Sequence, residues 1–210
     1  MNHEAMIDDI IKTAQQVHLH LDKKIYNSKI IDFPTLRQAF SYSCGASALQ
    51  VILLYYGIDM RESDLIGKVG TSDNGTDNLQ IIEFLKTLGF KVQAGEGNTI
   101  DKLKKLVDKG IPCMIPIQAW AEKETKGWHK NNDNGHYVVV IGYTDQHLIF
   151  SDPADIQDTA LSYDELEERW HDTDVRGKVL DHYAIVPYGK KPHFHSTNIK
   201  KMGRCVPAIY

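Results

Sequence analysis

Cys44 is the residue whose setting most invites chemistry. It heads the run SCGASALQVILLYYG (43–57), which begins with small residues and ends with large apolar ones. The thiolate is the reactive form of cysteine, and a free thiol has a pKa of about 8.5. A helix N-terminus puts partial positive charge beside the sulfur, and a nearby imidazolium does the same. Gly45 would let the backbone next to the sulfur come close to a substrate. The alternative for any such residue is an inert thiol packed at a helix start. Cys113 fits that alternative, since it sits in the apolar run IPCMIPIQAW (111–120), and Cys205 lies in the tail without supporting chemistry.

A thiolate attacking a carbonyl needs a base, a group that orients the base, and donors for the developing oxyanion. Gln38, six residues upstream, offers a side-chain amide N–H, and the Cys44 backbone N–H at the first helical turn offers another. His136 opens the apolar strand HYVVVIGY (136–143), and Asp152 follows the strand HLIFS (147–151). If Thr144-Asp145-Gln146 is a three-residue hairpin loop, Tyr143 faces His147 and Val138 faces Asp152. His136 and Asp152 then share one face as diagonal neighbours, about 7–8 Å apart at Cα. A slip of one residue would separate them. Taken singly, His136 reads equally as a satisfied strand histidine and Asp152 as an Asp-Pro turn opener. The combination points to a nucleophile, base and orienter.

The elements that must position these groups follow from patterning. The apolar run 49–56 has no polar face, so its helix is buried, with Ser41 or Ser43 as cap and Gly57 at the C-terminal end. Further helices are expected over 61–68, over LQIIEFLKTLG ending at Gly89, and over 99–110 between Thr99 and Gly110. Another follows Ser162, where Glu165 completes a capping box. Strands are expected over 90–94, 111–120 (broken or edged by Pro112 and Pro116), 136–143, 147–151 and 179–187. Helices first and strands later argue for an α+β fold with an antiparallel sheet. Residues 121–135 read as a polar loop; with Trp128 and Tyr137 it is expected to form one wall of a cleft, and Gly75-Thr76 another. Residues 4–21 show the spacing of an amphipathic helix, so the organisation expected is 1–30 helix and connector, 31–188 catalytic domain and 189–210 basic tail.

The segments QAFSYSCGASALQVIL (38–53), NGTDNLQIIEFLKTLGF (74–90), GHYVVVIGY (135–143) and FSDPA (150–154) together resemble the bacteriocin-processing, double-glycine-leader cysteine peptidase family and its stand-alone relatives. The resemblance runs over roughly residues 30–160. It implies a papain-like fold, with Cys44 as nucleophile, His136 as general base and acid, Asp152 as orienter and Gln38 as oxyanion donor. Where many members have Asp before the nucleophile, this chain has Ser43. Many are fused to a transporter; no ATP-binding motif is found here.

The expected activity is hydrolysis of a peptide or isopeptide bond through a thioester. Acyl or aminoacyl transfer or amide hydrolysis on the same fold, as in phytochelatin-synthase-like enzymes, is the second reading, and an idle binding module the third. The chain has 210 residues and a net charge of −4, which offers no basic field for a nucleic acid. No run approaches the roughly 18–20 apolar residues of a membrane span, and no secretory signal opens the sequence. A cytoplasmic location, or export without a classical signal peptide, is the expectation. No cofactor is expected. His18-x-His20 falls on the expected N-terminal helix, where that spacing splays the rings, and His193-x-His195 lies in the tail, so no metal site is expected.

Overall fold

The computed structural model describes residues 28–121 and 127–198. The expected helix over 4–21, the His18–His20 pair and Cys205 lie outside these residues. In chain order the elements are β1 (Lys29–Ile30), α1 (Cys44–Tyr55), α2 (Glu62–Lys68), α3 (Asn78–Thr87), β2 (Lys91–Gly95), α4 (Ile100–Asp108), β3 (Cys113–Gln118) and a short 3-10 turn (Trp128–Lys130). There follow β4 (Gly135–Tyr143), β5 (His147–Ser151), β6 (Thr159–Ser162), α5 (Tyr163–Arg169), β7 (His171–Thr173), β8 (Val179–Asp181) and β9 (Ala184–Tyr188).

Seven strands form an antiparallel sheet in the order β2-β9-β3-β4-β5-β6, with β1 added beside β4. β7 and β8 form a separate two-stranded ribbon. Helices precede strands along most of the chain, giving the α+β, papain-like arrangement.

α1 is the buried helix that its all-round apolar sequence requires. Leu49, Ile52 and Leu53 are fully buried and Val51 nearly so. Each such side chain contributes roughly 1.5–3 kcal/mol on leaving water. The helix packs across β4, which brings the start of one to the start of the other. Its end is a two-bond glycine cap: Gly57 (φ +80°) donates to the Leu54 carbonyl and Ile58 to the Leu53 carbonyl. Thr99 caps α4, and the Ser162–Glu165 capping box opens α5, as their sequences predict.

Several expectations are corrected. Ser43 stands at the N-cap of α1 but makes no capping bond; its hydroxyl lies against the Phe40 carbonyl and the Glu62 carboxylate instead. Pro112 edges the strand as expected, but Pro116 does not break it. It is buried inside β3, opposite Tyr137 of β4, and β3 pairs with β9 only at Met114. The run 179–187 is two strands, because His182 adopts φ +47°. That turn is held by His182 N–H to the Trp170 carbonyl and by the Trp170 indole N–H to the Tyr183 carbonyl.

The β4–β5 hairpin is closed one residue differently from the expected register. Tyr143 faces Leu148, not His147; the connecting residues are Thr144–Gln146 as expected, but Thr144 N–H closes on the His147 carbonyl, and the Thr144 hydroxyl accepts the N–H groups of Gln146 and His147. A bulge between Val140 and Gly142 then absorbs one residue, so Val140 faces Phe150 and Val139 faces Ser151. Beyond the bulge the pairing is the expected one.

Candidate active site

His136 begins β4 and Asp152 follows β5, and the restored register puts both on one face: His136 Nε2 lies 2.7 Å from Asp152 Oδ1. Both are buried. With Nε2 engaged by the carboxylate, Nδ1 is the remaining ring nitrogen, and the Cys44 side chain, which lines the same cleft, adds to the field on the ring. Burial opposes the charged imidazolium, but the Asp152 and Cys44 side chains outweigh it and bring the His136 pKa up to about 9. Cys44 is half-buried at the first residue of α1. The N–H groups of that first turn have no intrahelical acceptor.

Asp152 is among the best-satisfied carboxylates of the described residues. Oδ1 also accepts the Ala154 backbone N–H at 2.8 Å; Oδ2 accepts the Trp120 indole N–H at 3.1 Å and the Thr159 hydroxyl at 3.2 Å. Burial pushes its pKa up, but the His136 bond and the Ala154 and Trp120 N–H groups more than offset that and hold it below the ordinary carboxylate range. Trp120 is not among the residues the sequence singles out; the register of β3 against β4 is what brings it here. Gln118 pairs with Gly135, so the residues just past the end of β3 must lie beside the start of β4 and hence beside His136. Trp120 carries an unusual positive φ of 57°.

A cleft of about 340 Å³ opens beside Cys44 and His136. Gly75, Thr76 and Tyr137 line it, together with residues of the β7–β8 ribbon such as Asp172 and Val175. Trp128 does not: it stacks under the Arg169 guanidinium, 4.0 Å from the ring centre, and its carbonyl accepts from His171. Among the described residues of the polar loop, Asn132, Asp133 and Gly135 contribute to the wall.

Gly45 owes its identity to the protein's own packing. A Cβ there would lie 2.7 Å from both Cβ and Oγ1 of Thr76 and 3.2 Å from the Tyr137 ring. The small residue therefore lets α1, the 71–76 turn and β4 meet at one point. Thr76 is fixed in turn by a 2.8 Å hydroxyl bond to Thr71.

Gln38 sits in the segment before α1. Its backbone N–H donates to the Pro153 carbonyl, next to Asp152, and its side-chain Nε2 donates to the Phe40 carbonyl at 2.7 Å. The second Nε2 proton is left over, and Oε1 is buried with no hydrogen-bond partner among the described residues. Cys113 is fully buried, and burial pushes its thiol up to about 12. Among the described residues no group of three or more His, Cys, Asp or Glu side chains could hold a metal ion, and no helix is long and apolar enough to cross a membrane.

His136, bonded to Asp152, and Cys44 at the start of α1 line one cleft. The model of the Peptidase C39 family matches residues 32–175, and the chain belongs to that family. The pediocin PA-1 transport/processing ATP-binding protein PedD of Pediococcus acidilactici is 27% identical over 128 residues, 60% of this chain. The match spans only 16% of that much longer relative. A C39-like peptidase from Bacillus anthracis has the same fold, with a TM-score of 0.59 at 21% identity over 78% of this chain and 98% of its own. So has a double glycine motif protease from the AMS/PCAT transporter, solved with its leader peptide, with a TM-score of 0.53 at 20% identity over 76% and 94% of the two chains.

Proposed function

We propose that this protein is a cysteine peptidase that cleaves a peptide or isopeptide bond through a thioester on Cys44. The observation that carries the reading is the buried His136, bonded to Asp152 and lining one cleft with Cys44, with its pKa pushed up to about 9. A ring so held is an imidazolium near neutral pH and is the natural partner of a Cys44 thiolate.

The thiolate attacks the substrate carbonyl carbon, and the carbonyl electrons move onto oxygen. The Cys44 backbone N–H and the free Nε2 proton of Gln38 receive that oxyanion. As the intermediate collapses, the carbon–nitrogen bond breaks and His136 gives its proton to the departing amine. The thioester is then attacked by water, which surrenders a proton to the now neutral His136, and the Cys44 thiolate leaves. Asp152 holds the ring so that Nδ1 faces sulfur throughout. Gly75, Thr76 and Tyr137, which line the cleft beside the sulfur, are the proposed substrate contacts. A peptide substrate accords with the neighbour solved on a leader peptide.

Labelling with an iodoacetamide probe tests the reading. Cys44→Ala should remove the fast-reacting thiol, His136→Ala should slow it by at least about tenfold, and Cys113→Ala should change nothing because that thiol is buried and protonated. Labelling that ignores Cys44 and survives the loss of His136 refutes the proposal. Product analysis with added amines or thiols separates hydrolysis from acyl transfer.

A further inference from the structure

The chain from Gln38 to Ser43 has no helix or strand to hold it, yet in the proposed mechanism it must deliver both oxyanion donors, since Gln38 begins it and Cys44 follows it. What holds it comes from another element. Glu62, the first residue of α2, accepts the Ala39 backbone N–H on both carboxylate oxygens, at 3.1 and 3.0 Å, and its Oε1 lies 2.5 Å from the Ser43 hydroxyl. Ser43 is fully buried, and its Oγ in turn accepts the Phe40 backbone N–H at 3.2 Å. One carboxylate thus pins the residue after Gln38 and the residue before Cys44. The segment leading into α2 is itself tied to α1, because the Gln50 side chain donates to the Met60 carbonyl.

We propose that Glu62 is a positioning residue for the oxyanion site, acting by fixing the 39–43 segment between Gln38 and Cys44. This rests on the peptidase reading. Glu62 has no bond to His136 or Asp152, so its effect falls on the alignment of the two donors and not on activation of the thiol. The bonds to Ala39 and Ser43 are charge-assisted, and such bonds are roughly twice as strong as neutral ones. A misplacement of about 1 Å at a reacting centre costs up to about 100-fold.

Two probes separate donor alignment from thiol activation. Acylation of Cys44 by p-nitrophenyl acetate passes through a tetrahedral oxyanion: sulfur bonds to the acetyl carbon and p-nitrophenolate leaves. Alkylation by iodoacetamide displaces iodide directly and forms no oxyanion. Glu62→Ala should slow acylation by at least about tenfold while leaving alkylation within about twofold. Glu62→Gln, which keeps one acceptor oxygen, should show the same split at about threefold. If acylation is unchanged in both variants, or if acylation and alkylation fall together in both, the proposal is overturned. If wild type and Cys44→Ala acylate alike, the peptidase reading itself fails and takes the proposal with it. Normal splitting of the wild type from Cys44→Ala, with no effect at Glu62, overturns the Glu62 assignment alone.

Discussion

Replacing Asp152 by Asn keeps the shape of the side chain and removes the charge that holds the His136 imidazolium. Raising the His136 pKa from its ordinary 6.5 to about 9 corresponds to roughly 3 kcal/mol, at about 1.4 kcal/mol per pH unit. Because the folded-state pKa is raised, that stability is fully present below pH 6.5 and is lost as pH rises through about 9. Urea unfolding of the wild type at about pH 6 and again at about pH 9.5 should therefore differ by up to roughly 3 kcal/mol more than in Asp152→Asn. In the variant the carboxylate's share of the shift is gone. The ring protons of His136 followed by NMR should titrate near pH 9 in the wild type and lower in Asp152→Asn. Parallel stability–pH slopes in the two proteins, or a His136 titrating near 6.5 in the wild type, would refute the account of the site's electrostatics.

Gly45→Ala should lower stability by about 1–3 kcal/mol, because its Cβ meets Thr76 at 2.7 Å; Thr76→Gly in the same chain should recover part of the loss in a thermal melt, and an unchanged melting temperature in Gly45→Ala would disprove the packing argument. Trp120→Phe removes the indole donor to Asp152 Oδ2 while keeping a ring. A depressed carboxyl contributes stability above its ordinary pKa that is lost as pH falls, so the acid unfolding midpoint followed by circular dichroism should move to higher pH, with a loss of about 1 kcal/mol at neutral pH.

What could be read in advance was local chemistry. Gly57, Thr99 and the Ser162–Glu165 box end or begin helices through bonds to neighbours a few residues away. The hairpin placed His136 with Asp152 for a similar reason: pairing register is local, although here a one-residue shift in pairing beside the loop was compensated by a bulge the sequence did not advertise. What could not be read depends on contacts between distant segments. Glu62 meets Ser43 across 19 positions and Trp120 meets Asp152 across 32. Short strands such as β6 and β7 exist because β5 and β8 stand ready to pair with them. Trp128 looked like a cleft aromatic because it shares a loop with cleft residues, but Arg169 of α5 holds it elsewhere.

The carboxylate of Asp152 links these two kinds of information. Placed in a buried site alone, a carboxylate would cost several kcal/mol. Here its four donors come from four different places: the β4 start (His136), the end of β3 (Trp120), the turn after β5 (Ala154) and the start of β6 (Thr159). His136 and Thr159 are held in the sheet, and Trp120 and Ala154 lie within three residues of its strands, so the charge is satisfied by the chain itself. It follows that Asp152→Ala should be more damaging to the fold than Asp152→Asn, since it strands four donors where Asn still accepts from some of them. The carboxylate that bonds His136 is therefore also a tie that closes this end of the sheet. Loss of activity at residue 152 has to be compared between these two substitutions before it is assigned to chemistry.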